Sequence, residues 1–86
     1  MPVLLMVDRS GPGPRNEPRI SAMLWSADKD PWLLDAQQFR SESELRRWLG
    51  EIAAKYRDIE VRWTDKLKAE KALAAAVAES LGVAIP

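Results

Sequence analysis

Three aspartates form the one tight group of carboxylates that lies near a loop in this sequence. Asp28 and Asp30 lie in a polar segment that reads as a turn, and Asp35 follows shortly after it. Carboxylate oxygens are the ligands that hard cations such as Mg²⁺ and Ca²⁺ prefer. The spacing does not match a calcium-binding EF-hand, however, and aspartate is common in turns because its side chain bonds nearby backbone amides. We therefore interpret these residues as turn formers and predict no metal and no cofactor.

Nucleophilic and general-base catalysis is restricted by the composition. The 86 residues include no histidine and no cysteine. Their absence excludes the Ser-His-Asp triad, the Cys-His dyad and every zinc site built from imidazole or thiolate. No glycine-rich phosphate-binding loop takes their place. We therefore predict that the protein is not an enzyme.

Arginines form a second candidate site, this time for phosphate groups. They are Arg46, Arg47, Arg57 and Arg62, and tryptophans near them could stack on bases. Acidic residues are interleaved with them, and Lys plus Arg and Asp plus Glu each total 13, which gives a net charge of zero. Proteins that bind a nucleic-acid backbone are usually basic. Nucleic-acid binding is therefore the alternative function, and a nucleic acid is not the favoured partner.

The first half of the chain has the hydrophobic patterns of three strands. Val3–Val7 is a continuous apolar run, which predicts a strand that is buried on both faces or lies at a dimer interface. Glycine and proline make residues 9–18 a flexible loop. Residues 19–25 alternate, with Ile20, Ala22 and Leu24 on one side as a core face and Ser21, Met23 and Trp25 on the other. Residues 32–39 read as the return strand of a hairpin.

The second half has the patterns of helix, strand and helix. Ser41 and Glu44 form a capping box, which predicts a helix that begins there and continues to Tyr56. Residues 59–63 alternate as a short strand. Thr64 or Asp65 then caps a second helix, from about residue 66 to 81, and Gly82 ends it.

These elements predict an α+β (mixed α/β) fold in one small domain, residues 1–86. The divisions are an N-terminal strand (1–8), the loop (9–18), an α/β core (19–82) and a tail (83–86). The order β-β-β-α-β-α predicts a mixed sheet of three or four strands, with both helices packed on one face. The other face is then only partly covered.

The partly covered face predicts the function, a non-catalytic interaction module that binds another protein or a second copy of itself. Trp25 and Trp32 flank the hairpin turn, either as a cross-strand aromatic pair or as an exposed hot spot. The N-terminal strand could offer an apolar edge to a partner strand. The candidate interaction residues are Val3, Leu5, Val7, Met23, Trp25 and Trp32. No segment has the length of a membrane span or the pattern of a signal peptide, so we expect a cytoplasmic protein.

From residue 18 onward the order of elements resembles the periplasmic domain of TolR/ExbD-type biopolymer-transport accessory proteins. The similar parts are the hairpin ending in Trp32-Leu33-Leu34-Asp35, the helix from Ser41 to Tyr56, the strand Glu60-Val61-Arg62-Trp63 and a last helix that stops at Gly82. The resemblance implies the same architecture and, as a further alternative, a role as the soluble domain of a transport accessory protein. It assigns no functional residue.

Overall fold

The computed structural model describes residues 2–10 and 19–86. Most of the predicted loop, residues 11–18, lies outside the described residues. The elements are β1 (Val3–Ser10), β2 (Arg19–Ser26), β3 (Leu33–Phe39), α1 (Glu42–Lys55), β4 (Ile59–Val61), α2 (Asp65–Ala69) and α3 (Lys71–Leu81). The predicted α+β fold and the order of its elements are confirmed.

The described strands form one mixed sheet in the order β3-β2-β1-β4. β1 and β2 are antiparallel, as are β2 and β3, whereas β4 is parallel to β1. β3 and β4 therefore run in the same direction at opposite edges of the sheet, and α1 makes the crossover between them. A crossover of this kind is the usual way to join parallel strands.

The core lies between one face of the sheet and the three helices. Alternate strand residues point to the same side because the side-chain period of a strand is two. On β1 and β2 the buried apolar ones are Val3, Leu5, Val7, Ile20, Ala22 and Leu24. They form one cluster with Leu45, Trp48, Leu49 and Ile52 of α1, Leu67 of α2, and Leu73, Ala76 and Val77 of α3. All three helices therefore cover the same face, as predicted.

β1 is an inner strand of the sheet, with β4 beside Val3–Leu5, which corrects the prediction that the N-terminal strand forms an apolar edge. It pairs with β2 on one side and with β4 on the other. Val3, Leu5 and Val7 are at most 4% exposed. These three residues therefore hold the core together and are not available to a partner.

α1 begins at the predicted cap with a small difference in its hydrogen bonds. The Ser41 hydroxyl accepts a bond from the Glu44 amide at 3.3 Å. The Glu44 carboxylate accepts from the amide of Arg40 at 2.9 Å, one residue before the expected donor. Both bonds satisfy amides at the helix start that have no partner within the helix.

The predicted last helix is divided in two at Glu70. Of the two predicted candidates for the cap of α2, Thr64 is the one observed, because its hydroxyl accepts from the Leu67 amide at 3.1 Å. At Glu70 the backbone leaves helical geometry (φ −84°, ψ 81°) and the side chain makes no cap bond to α3. Its carboxylate instead pairs with Arg9 of β1 at 3.3 Å. A long-range contact thus accompanies a break that no glycine or proline marks in the sequence.

Candidate interaction surface

The sheet face opposite the helices carries six apolar residues that no described element covers. We call this surface the open face, and its residues are Leu4, Met6, Met23, Trp25, Leu33 and Ala36. None of them belongs to the core cluster or packs against it. Met23 is 36% exposed and Leu33 is 44% exposed. Exposed apolar groups that are contiguous in this way are typical of interaction sites.

The strand register arranges the open face in two rows that cross the sheet. The first row runs from Leu33 through Trp25 and Leu4 to Glu60. The second row runs from Ala36 through Met23 and Met6 to Arg62. Arg62 takes that place because Val61 pairs with Leu5, and its amide donates to the Leu5 carbonyl at 2.9 Å. Each row therefore consists of three apolar residues and one charged residue at the β4 edge, and the two charges are opposite.

Two shallow cavities flank Met23 on this surface. One, of about 320 Å³, lies toward β4 and includes Met6, Arg62 and Thr64 in its lining. The other, of about 460 Å³, lies between β2 and β3 and includes Ala36 and Gln38. Methionine side chains adapt their shape readily, so this part of the face can accommodate an irregular partner surface.

Trp25 is the largest side chain of the open face. It is half-buried, and its indole Nε1 is shielded from solvent without a hydrogen-bond acceptor among the described residues. Its neighbour on β3 is Leu33. Tryptophan is enriched among residues that dominate binding energies, so Trp25 is the natural anchor of the surface.

Trp32 lies just before β3, opposite the buried Ser26 of β2, and is 55% exposed. It is therefore not one of the open-face residues. Its amide donates to the Ser26 hydroxyl at 3.0 Å, and its carbonyl accepts from the Ser26 amide at 2.9 Å. The cross-strand neighbour of Trp25 is therefore not Trp32. Among the described residues, an aromatic contact is found elsewhere, between Phe39 and Trp48, with ring centroids 5.7 Å apart.

The candidate carboxylates have different surroundings. Asp28 and Asp30 are exposed in the turn between β2 and β3. Asp35 is half-buried, where it accepts bonds from the Ala36 amide at 2.9 Å and from Trp48 Nε1 at 3.4 Å. Within residues 2–10 and 19–86, no group of three or more Asp and Glu side chains is placed to hold a metal ion. Asp35 therefore has a structural position that links β3 to α1.

The four candidate arginines do not share one surface. Arg46 on α1 pairs with Glu42 at 3.0 Å and with Glu79 of α3 at 2.7 Å. The two carboxylates accept hydrogen bonds from the guanidinium and so raise the pKa of Arg46 above its ordinary value. Arg47 is exposed on the same helix and Arg57 is exposed after it, whereas Arg62 belongs to the opposite side of the sheet. A single phosphate-binding surface would require the four arginines to lie on the same side of the molecule.

No protein-family model matches this sequence, and no curated protein or solved structure shows significant similarity to it. These comparisons add no support to the resemblance to TolR/ExbD-type proteins, which stays a prediction. Across the part of the chain that the structure describes, the helices are all too short or too polar to cross a membrane.

The sequence reading identified Met23 and Trp25 but not the rest of the open face. Leu4 and Met6 were hidden in the continuous apolar run of β1, where both faces of the strand look alike. The alternation of Glu60 and Arg62 with the inward-facing Ile59, Val61 and Trp63 does indicate that these two charges face away from the helices. The place of β4 beside β1 was needed to bring these charges to the apolar rows.

Proposed function

We propose that this protein is a small non-catalytic module that acts by binding a protein, another one or a second copy of itself, through the open face. The observation that supports this is the pair of apolar rows on a sheet face that no helix covers. An antiparallel sheet can pack one face against the core and expose the other face to water, but the exposed face is then usually polar.

The composition of the open face fits an interaction surface. Its centre consists of methionine, leucine and tryptophan side chains, and its margin carries Asp8, Ser21, Gln38, Glu60 and Arg62. An apolar centre with aromatic and methionine residues inside a polar rim is the common anatomy of protein interfaces. Association would be driven by burial of apolar surface, which contributes about 25 cal/mol per Å² removed from water.

A site-specific crosslink tests the proposal. A benzophenone amino acid is placed at Met23, and at the exposed Ala72 of α3 as the matched control. The protein is crosslinked by light inside the cells that express it. We expect a crosslinked product from position 23 and none from position 72. Addition of Trp25→Ser should abolish the product from position 23. The Trp25→Ser chain must keep its far-ultraviolet circular dichroism, because the core does not include Trp25. Equal products from both positions, or a product that Trp25→Ser leaves unchanged, would refute the proposal.

Nucleic-acid binding is the alternative, and a direct titration tests it. Fluorescence anisotropy of a labelled single-stranded oligonucleotide is followed at about 50 mM and 200 mM salt. Binding that falls steeply with salt, and that weakens in the Arg46→Ala/Arg47→Ala double variant, would favour the alternative. We expect no measurable binding, because Arg46 already has two carboxylate partners and the arginines do not converge. The cytoplasmic location expected from the sequence stays a prediction beside either function.

A further inference from the structure

We propose that the occupant of the open face is a second copy of this chain, packed sheet against sheet about a two-fold axis. This inference rests on the proposed function, since it names the partner for the same surface. In such an interface one patch meets itself, so that if residue i contacts residue j, then j also contacts i. A patch suited to this contact must be self-complementary in both shape and charge.

The two rows of the open face have that property. Consider a two-fold axis in the plane between the two sheets, perpendicular to the strands and midway between the rows. Rotation about this axis places the first row of one copy opposite the second row of the other. Leu4 then faces Met6 of the second copy, and Trp25 faces Met23 of the second copy, because each pair occupies one strand in adjacent rows. Leu33 and Ala36 of β3 meet in the same way. Every apolar residue thus faces an apolar residue.

The same axis brings opposite charges together at the β4 edge. Glu60 of one copy faces Arg62 of the other, and the pair occurs twice. Both side chains are exposed, and within residues 2–10 and 19–86 neither forms an ion pair. Sheets packed face to face lie about 10 Å apart, a gap that a glutamate and an arginine can bridge from opposite sides. The net charge of zero adds no overall repulsion between copies.

The size of the sheet indicates a weak dimer. β1 and β2 are eight residues long, β3 is seven and β4 is three. With strands about 4.8 Å apart and about 3.3 Å per residue, they give a flat area on the order of 400 Å². Specific interfaces bury about 800 Å² on each partner, and smaller ones are usually transient. We therefore expect monomers at about 1 μM and dimers at several hundred μM.

Charge reversal across the two-fold axis is the decisive experiment. Sedimentation equilibrium of the full chain is measured over that concentration range for the unchanged protein, Glu60→Arg, Arg62→Glu and the double variant. Glu51→Arg is the matched control, since Glu51 is exposed on α1 at the other side of the sheet. Circular dichroism of each variant establishes that it is folded.

Each single reversal places like charges opposite each other twice, so we expect association about tenfold weaker. Glu51→Arg should leave it unchanged. The double variant restores opposite charges within one chain and should regain the affinity of the unchanged protein. An equimolar mixture of the two single variants should form a heterodimer, because all-positive edges then face all-negative ones. If the single variants associate as the unchanged protein does, or if neither the double variant nor the mixture recovers, the proposed dimer is wrong.

The outcome also separates this inference from the proposed function. A chain that is monomeric at several hundred μM overturns the dimer. If position 23 then still crosslinks to a different protein in a Trp25-dependent manner, the dimer alone has failed. If that product is absent as well, the proposed function has failed with it.

Discussion

Two neighbouring leucines on β1 give the most direct test of which sheet face is the core. Leu5 is fully buried (0% exposed) within the cluster formed by the sheet and helices. Leu4, the preceding residue, is half-buried on the open face. Truncation of both to alanine removes the same atoms from opposite sides of one strand. The difference between the two variants therefore depends on the packing of the two faces and not on the chemistry of the change.

The structure predicts very different losses for these variants. A Leu→Ala change at a fully buried site lowers the free energy of unfolding by about 2–5 kcal/mol. The loss has two parts: the removed atoms no longer contribute their burial, and the cavity they leave closes only in part. We expect about 3 kcal/mol for Leu5→Ala. For Leu4→Ala we expect about 1 kcal/mol or less, since its side chain is in contact with solvent and leaves no enclosed cavity. In a domain of this size, about 3 kcal/mol corresponds to a fall in Tm of roughly 12–24 °C.

Urea denaturation at about 2 μM protein measures both losses, with tryptophan fluorescence and circular dichroism as two probes. The low concentration keeps association from contributing to the stability of either variant. The slope of the free energy of unfolding against urea should stay that of the unchanged protein, which shows that the folded and unfolded states are comparable. Equal losses for the two variants, or a larger loss for Leu4→Ala, would show that the inner and outer faces of β1 have been assigned incorrectly.

Four further substitutions probe local features of the fold, each by urea denaturation beside the unchanged chain. Gly50→Ala should raise the free energy of unfolding by about 0.5–1 kcal/mol, because the added methyl group meets nothing within 4 Å and alanine favours a helix interior. Gly82→Ala should lower it by about 1 kcal/mol, because Gly82 ends α3 at φ 66°, and a stability gain here would contradict that assignment. Ser41→Ala should cost about 1 kcal/mol through loss of the α1 cap, and an unchanged stability would show that the cap bond contributes nothing. Arg9→Met should cost less than about 1 kcal/mol, and the cost should diminish in 1 M salt because the pair with Glu70 is partly exposed; a cost that salt does not affect would point to packing instead of charge.

The proposed surface follows from how a two-layer domain divides its apolar residues. The three described helices are enough to cover one face of a four-stranded sheet, and here they all lie on the same side. The opposite face must then be polar or find a partner. In this chain the strands that lie side by side in the middle of the sheet bring Leu4, Met6, Met23 and Trp25 together at that face. A dimer would give each sheet its second covering layer.

Local features of the fold were readable from the sequence because each depends on residues close together in the chain. Ser41 with Glu44 predicted the start of α1, Thr64 or Asp65 the start of α2, and Gly82 the end of α3. The alternation of Ile20, Ala22 and Leu24 predicted the inner face of β2. Hydrogen bonds at helix ends and side-chain periodicity act over a few residues, so a single sequence determines them.

The strand order, the break at Glu70 and the full extent of the open face depended on contacts between distant parts of the chain. The apolar run of β1 is compatible with an edge or a central strand, and only its place inside the sheet and beneath the helices made Val3, Leu5 and Val7 core residues. The pairing of β1 with β4 placed Glu60 and Arg62 at the ends of the two rows. Sequence by itself therefore determined which segments are helices and strands, through local hydrogen bonding and periodicity. The tertiary structure decided which strand faces meet helices and which remain open, because burial depends on the neighbours that the whole fold supplies.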